Sequence, residues 1–95
     1  MPYIKSRDRK RFDKKVRNIV AVLLSSNNTQ EPVVGEVNYV ISLLIWTLFE
    51  QNPSYTRGNN LMGVLECVKA EFYRRKLAPY EDKKIEENGD VKSLS

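Results

Sequence analysis

Apolar side chains return at steps of three and four residues in three separate stretches of this chain, and no other feature limits its fold as strongly. In the first stretch Phe12, Val16, Ile19, Val20 and Leu23 fall on one side of a helix, with basic residues filling the other. This predicts a helix from Ser6 or Asp8, either of which can cap it, to about Ser25. The second stretch places Val37, Val40, Ile41, Leu44, Ile45 and Leu48 on one face and Tyr39, Leu43 and Trp46 on another. A helix from Gly35 or Glu36 to just before Pro53, with two apolar faces, is expected there. In the third, Leu61, Val64, Leu65, Val68 and Phe72 predict a helix from Asn59 or Asn60 to Leu77.

Punctuation supports these bounds. The polar run Ser25 to Pro32 reads as a loop, since Asn27, Asn28 and Thr29 compete with helical backbone bonds and Pro32 closes the segment. Pro79 is expected to end the third helix and to open a short fourth one, with Glu81 and Asp82 in its first turn and Asn88-Gly89 at its end. The fold class is therefore all-α: a small three-helix domain with a short fourth C-terminal helix. Its core is expected around Phe12, Val16, Val20, Ile41, Leu44, Leu48, Leu65, Val68 and Phe72. Residues 1–95 make one helical domain on this reading, with 1–5 and 90–95 flexible at its ends.

Composition limits the function. The chain has no histidine, which removes the usual base near neutral pH and the commonest transition-metal ligand. The single cysteine, Cys67, lies in an apolar helical pattern and reads as a reduced, buried thiol. Glu66 and Glu71 are five residues apart and share a helix face poorly, and no acidic cluster has calcium-loop or di-metal spacing. The reading is a protein without catalytic residues, cofactor or metal.

The chain opens on Met-Pro-Tyr-Ile and passes straight into charge, so no secretory signal is read there. The most apolar run, Val37 to Phe49, falls short of the roughly 20 residues a membrane span needs. No membrane partner and a cytoplasmic location are expected.

The net charge of +4 is unevenly spread. Lys5, Arg7, Arg9, Lys10, Arg11, Lys14, Lys15 and Arg17 crowd the first stretch against Asp8 and Asp13. Residues 79–95 are acidic on balance. Arg7, Lys10, Arg11, Lys14, Lys15 and Arg17 are candidates for a nucleic-acid surface, because cations spaced along a helix neutralise a polyanion. The bland alternative is a solvated face. No helix-turn-helix, zinc-finger or ribbon signature accompanies them, and no aromatic residues interleave for base stacking.

Two further groups stand out. Arg57, Asn59 and Asn60 at a helix entrance, with Tyr73, Arg74, Arg75, Tyr80, Lys83 and Lys84 beyond, supply phosphate pairing and aromatic stacking for an anionic ligand. Capping and ordinary packing explain the same residues without a ligand. Tyr39, Leu43 and Trp46 form the second face of a central helix, either packed within one chain or joining copies. A homo-oligomer is expected, most simply a dimer.

The segments Gly35-Glu-Val-Asn-Tyr-Val-Ile41, Gly63-Val-Leu-Glu-Cys-Val-Lys69, Glu71-Phe-Tyr-Arg-Arg75, Ala78-Pro-Tyr-Glu-Asp-Lys-Lys-Ile85 and Glu87-Asn-Gly-Asp-Val91, with the Met-Pro-Tyr-Ile start, resemble a small family of bacteriophage and bacterial proteins that has no established activity. The likeness covers nearly the whole chain. It fits least at Ser25 to Val34 and at the tail Lys92 to Ser95. The resemblance implies a phage-type accessory protein that acts without catalysis, countering host defence by binding a host protein or sequestering an anionic nucleotide signal. Two other classes stand beside it: a nucleic-acid-binding accessory protein using the basic first helix, and a structural or assembly component.

Overall fold

A computed structural model describes residues 4–25 and 31–91. Among them every regular element is helical: α1 Ser6–Leu24, α2 Val34–Glu50, α3 Tyr55–Phe72, a π-helical stretch Tyr73–Leu77, and α4 Ala78–Asn88. The all-α class with three helices and a fourth at the C-terminus holds. Most of the loop read over Ser25 to Pro32, and the residues on either side of 4 and 91, lie outside the described residues. The chain divides within α2 into two units, Met1–Thr47 and Leu48–Ser95.

In the first unit α1 starts where its sequence pattern expects it, but neither Ser6 nor Asp8 caps it. Lys5 occupies the cap position in extended geometry and makes no side-chain cap. Its carbonyl accepts from the Asp8 N–H at 2.9 Å. Arg9 turns back, its Nε donating to the Ile4 carbonyl at 3.0 Å. At the far end the Ser25 N–H is shared between the carbonyls of Ala21 and Val22, and its hydroxyl donates to Val22 at 2.8 Å. Two carbonyls of the last turn, those of Ala21 and Val22, are satisfied in this way, without a glycine.

α2 begins at Val34, one to two residues earlier than expected. Val33 supplies the first carbonyl, accepting from Glu36 at 3.0 Å and Val37 at 3.1 Å. Glu36 lies in the first turn, where a negative charge complements the helix dipole. α1 and α2 share no extended contact in this unit.

The second unit turns sharply and then runs straight into its longest element. Ser54, in extended geometry with φ −161° and ψ 160°, accepts from the Arg57 N–H at 3.0 Å. This N-cap starts α3 at Tyr55, four or five residues before Asn59 or Asn60. The apolar stripe marks the helix only from Leu61 onward, whereas the Ser54 hydroxyl directly after Pro53 caps it earlier. Arg57 then reaches back, its Nη1 donating to the Leu48 carbonyl at 2.8 Å. That bond satisfies an end-of-helix acceptor of α2, and the Phe49 ring meets the position a Cβ on Gly58 would take, at 3.4 Å.

Pro79 does not break the helix. From Tyr55 to Asn88 the chain stays helical, about 50 Å of helix at the standard rise per residue. Proline removes an amide and its ring crowds the carbonyl four residues back. The π stretch widens the helix just ahead of it: the Ala78 N–H donates to Tyr73, five residues back instead of four. Local widening thus accommodates the ring where the sequence pattern alone read a stop. The helix ends at Gly89, whose φ of 89° is costly for any residue with a Cβ, and whose N–H donates to Ile85 at 2.8 Å.

The expected core is absent from the described residues: none of its nine side chains is buried. Phe12 is 48% exposed, Leu44 58% and Phe72 60%. The reason is geometric. Each stripe forms as its spacing dictates, but within a unit no second element lies across it. Cys67, expected buried, is likewise exposed, as are Leu65 and Val68 beside it.

Replacing Ser54 by alanine deletes the only side-chain cap at the start of α3 among the described residues. The Ser54→Ala protein is expected to lose about 1 kcal/mol of stability in a urea unfolding curve, with an unchanged m-value.

Candidate functional site

Three surfaces carry the residues with chemistry. The first is α1. At about 100° per residue, Arg7, Lys10, Lys14 and Arg17 fall within an arc of about 80°, roughly opposite Phe12, Val16, Ile19, Val20 and Leu23. All four are exposed, and no ion pair joins them to a described carboxylate. Arg11 and Lys15 flank this row on one side, with the Arg11 guanidinium 5.1 Å from the centre of the Phe12 ring. Arg9 lies on the apolar side of the helix and is engaged by Ile4. The expected basic side therefore resolves into a four-residue row with two flanking cations.

The second surface is α2. Tyr39, Leu43 and Trp46 are 64%, 50% and 62% exposed, so this face is open. Val37, Val40 and Ile45 on the other side are half-buried. Ser42 donates to Asn38 Oδ1 at 3.2 Å, which satisfies two polar groups along an otherwise apolar surface.

The third surface is the long helix. Its candidate ligand residues form two groups far apart. Arg57, Asn59 and Asn60 lie in the first turns, and Tyr73, Arg74, Arg75, Tyr80, Lys83 and Lys84 lie between about 25 and 40 Å further along, at the standard helical rise. Many already have partners. Arg57 holds the Leu48 carbonyl. Arg74 forks onto the Glu71 carboxylate at 3.0 and 3.2 Å. The Tyr73 hydroxyl donates to Glu81 Oε1 at 2.9 Å. Lys84 lies 5.6 Å from the centre of the Tyr80 ring and 3.4 Å from Glu87. A shallow open groove lined by Phe49, Pro53, Ser54, Tyr55, Gly58 and Asn59 adjoins the first group only. One chain does not bring the two groups together.

The π stretch was missed by the sequence reading, and it rearranges this surface. One extra residue in the turn after Phe72 sets the following residues back by about one residue's rotation. Leu77 and Tyr80 then continue the Leu61, Leu65, Val68 and Phe72 stripe, where an unbroken α-helix would carry Lys76 there. The same rotation stacks Glu81 over Tyr73, eight residues earlier. The available signal was a proline preceded and followed by good helix formers, with no glycine or asparagine between Phe72 and Glu87 to mark a stop.

Among the described residues no group of three or more cysteine, aspartate or glutamate side chains is placed to hold a metal ion. No helix there is long and apolar enough to cross a membrane. Among the described residues the fold is helical without strands, and the chemistry-bearing residues lie on helix faces. The chain belongs to the DUF6899 family, a domain of unknown function whose pattern it matches over residues 1–91. Neither a curated protein nor a solved structure matches it.

Tyr73 provides a direct check of the π geometry. The hydrogen bond to Glu81 raises its pKa above the ordinary tyrosine value, helped by the negative charge of Glu81, then by partial desolvation and Asp82. Because the folded value is the higher one, the stabilisation is complete below the unfolded tyrosine value and is lost as pH rises through the folded value. In an alkaline absorbance titration one tyrosine should ionise after the others, and both Tyr73→Phe and Glu81→Gln should abolish that late step. A late step that persists in Glu81→Gln would contradict the Tyr73–Glu81 pairing.

Proposed function

We propose that this is a non-catalytic binding protein that works as a homo-oligomer, with the apolar helix faces of each chain covered by other copies and the polar faces presented to a partner. One observation carries the reading: the side chains whose spacing marks them as core are all solvent-exposed in a single chain. Fully burying a valine, leucine or phenylalanine is worth about 1.5 to 3 kcal/mol. Exposed apolar area on this scale usually marks an interface. Tyr39, Leu43 and Trp46 on α2, and the Leu61 to Tyr80 stripe on the long helix, are the faces assigned to assembly.

A non-catalytic role is supported by the lack of histidine. The resemblance to phage and bacterial proteins favours an accessory role in a host cytoplasm, countering host defence by occupying a host protein or by holding an anionic nucleotide. For the nucleotide, assembly is a geometric requirement, because Arg57 to Asn60 and Tyr73 to Lys84 meet only across two copies.

Sedimentation velocity and thermal unfolding across roughly a hundredfold range of protein concentration test the assembly. A mass above one chain and a melting temperature that rises with concentration are expected. Leu65→Asp with Val68→Asp should lower both mass and helicity. A single-chain mass with a concentration-independent melting temperature would overturn the reading.

A further inference from the structure

We propose that the row Arg7, Lys10, Lys14 and Arg17 on α1 binds the phosphate backbone of a nucleic-acid duplex without reading its sequence. The row goes beyond the assembly reading, and it rests on that reading only for the choice of a duplex over a bilayer.

The four cations recur at steps of three, four and three residues, so they line one side of the helix over a rise of about 15 Å. Both acidic residues of α1 lie off this row. Asp13, four residues before Arg17, is the better placed of them, yet no ion pair forms between the two. Elsewhere the chain pairs its charges along the helix, as in Lys69 with Glu66, Arg74 with Glu71 and Lys84 with Glu87. On α1 such pairing is missing where the cations are densest. Four like charges along one helix side repel one another, and a polyanion relieves that repulsion by displacing the counterions of its phosphates.

The position of the row selects the kind of polyanion. A helix lying on an anionic membrane sinks its apolar face into the acyl boundary, and residues diametrically opposite then face water. Arg7, Lys10, Lys14 and Arg17 are opposite Phe12, Val16, Ile19, Val20 and Leu23; a bilayer needs that apolar face, which the assembly reading covers with other copies, and the row is then what remains for a polyanion. A duplex takes the row and leaves the apolar face free. The major groove of a duplex DNA admits an α-helix, with backbone phosphates on both sides of it. No aromatic side chain interrupts the row, so stacking on unpaired bases contributes nothing there. The proposal assigns the four cations to phosphates, contacts that position a protein without specifying sequence.

Fluorescence anisotropy with a labelled duplex DNA of about 20 base pairs tests the assignment on the full chain. With four phosphates neutralised per copy, affinity is expected to fall about 150-fold between about 50 and about 200 mM monovalent salt, and more steeply if several copies share one duplex. The variant carrying Arg7→Gln, Lys10→Gln, Lys14→Gln and Arg17→Gln should lose the binding while keeping the parent's far-ultraviolet helix signal and sedimenting mass. A charge-matched control, Lys69→Gln with Lys76→Gln, Lys83→Gln and Lys84→Gln, should keep it. Absence of binding at the lower salt, a flat salt profile, or equal loss in both variants would overturn the proposal. So would capture by vesicles containing phosphatidylserine without binding to the duplex, which would assign α1 to a lipid surface. Mass is read on the same samples, so a failure of duplex binding is distinguishable from a failure of assembly.

Discussion

Helices of 17 to 19 residues, the lengths of α1 and α2, are marginal in water unless an apolar face is taken out of it. Everything else in this protein follows from where that burial comes from. Caps, charge placement and local hydrogen bonds shape each helix, and each contributes about 1 kcal/mol or less. The stripes contribute several times more, but only against a covering surface. Neither unit supplies one from its own elements. On the proposed assembly, association supplies that cover, and concentration becomes a determinant of whether the chain is folded.

The polar chemistry is arranged consistently with that dependence. On the long helix the charged and aromatic residues are largely satisfied by neighbours one or two turns away: Arg74 by Glu71, Tyr73 by Glu81, Lys84 by Tyr80 and Glu87. They solubilise and stiffen an element that has an apolar stripe to protect. On α1 the corresponding row is left without carboxylate partners. The same residue types therefore serve local stability in one unit and outward attraction in the other, and the difference lies in where the acids are placed.

Much of this was legible in the sequence because helical period is a local property. The stripes of α1 and α2, the stop before Pro53 and the cap at Gly89 all follow from residues within two turns of one another. What failed was of two kinds. Pro79 was read as a terminus because its usual effect assumes bonding four residues back, and nothing in composition announces a switch to five. The nine core positions were read as mutually packed because apolar periodicity shows which face will be covered and is silent on what covers it. Cys67 followed the same error: its neighbours are apolar, and they too are left uncovered. The distance between the two groups of candidate ligand residues follows from the rise of α3, and the π turn carries Tyr80, Lys83 and Lys84 further along the same helix.

The π turn also changes what kind of variation the long helix can accept. In a loop, gaining or losing a residue alters only reach. Here one residue of length between Phe72 and Ala78 sets the angular phase between the two halves of the helix, and with it whether Leu77 and Tyr80 fall in line with Val68 and Phe72. Insertions and deletions at this point would act like turning one end of a key against its shaft, shifting every downstream side chain at once while leaving helical content almost untouched.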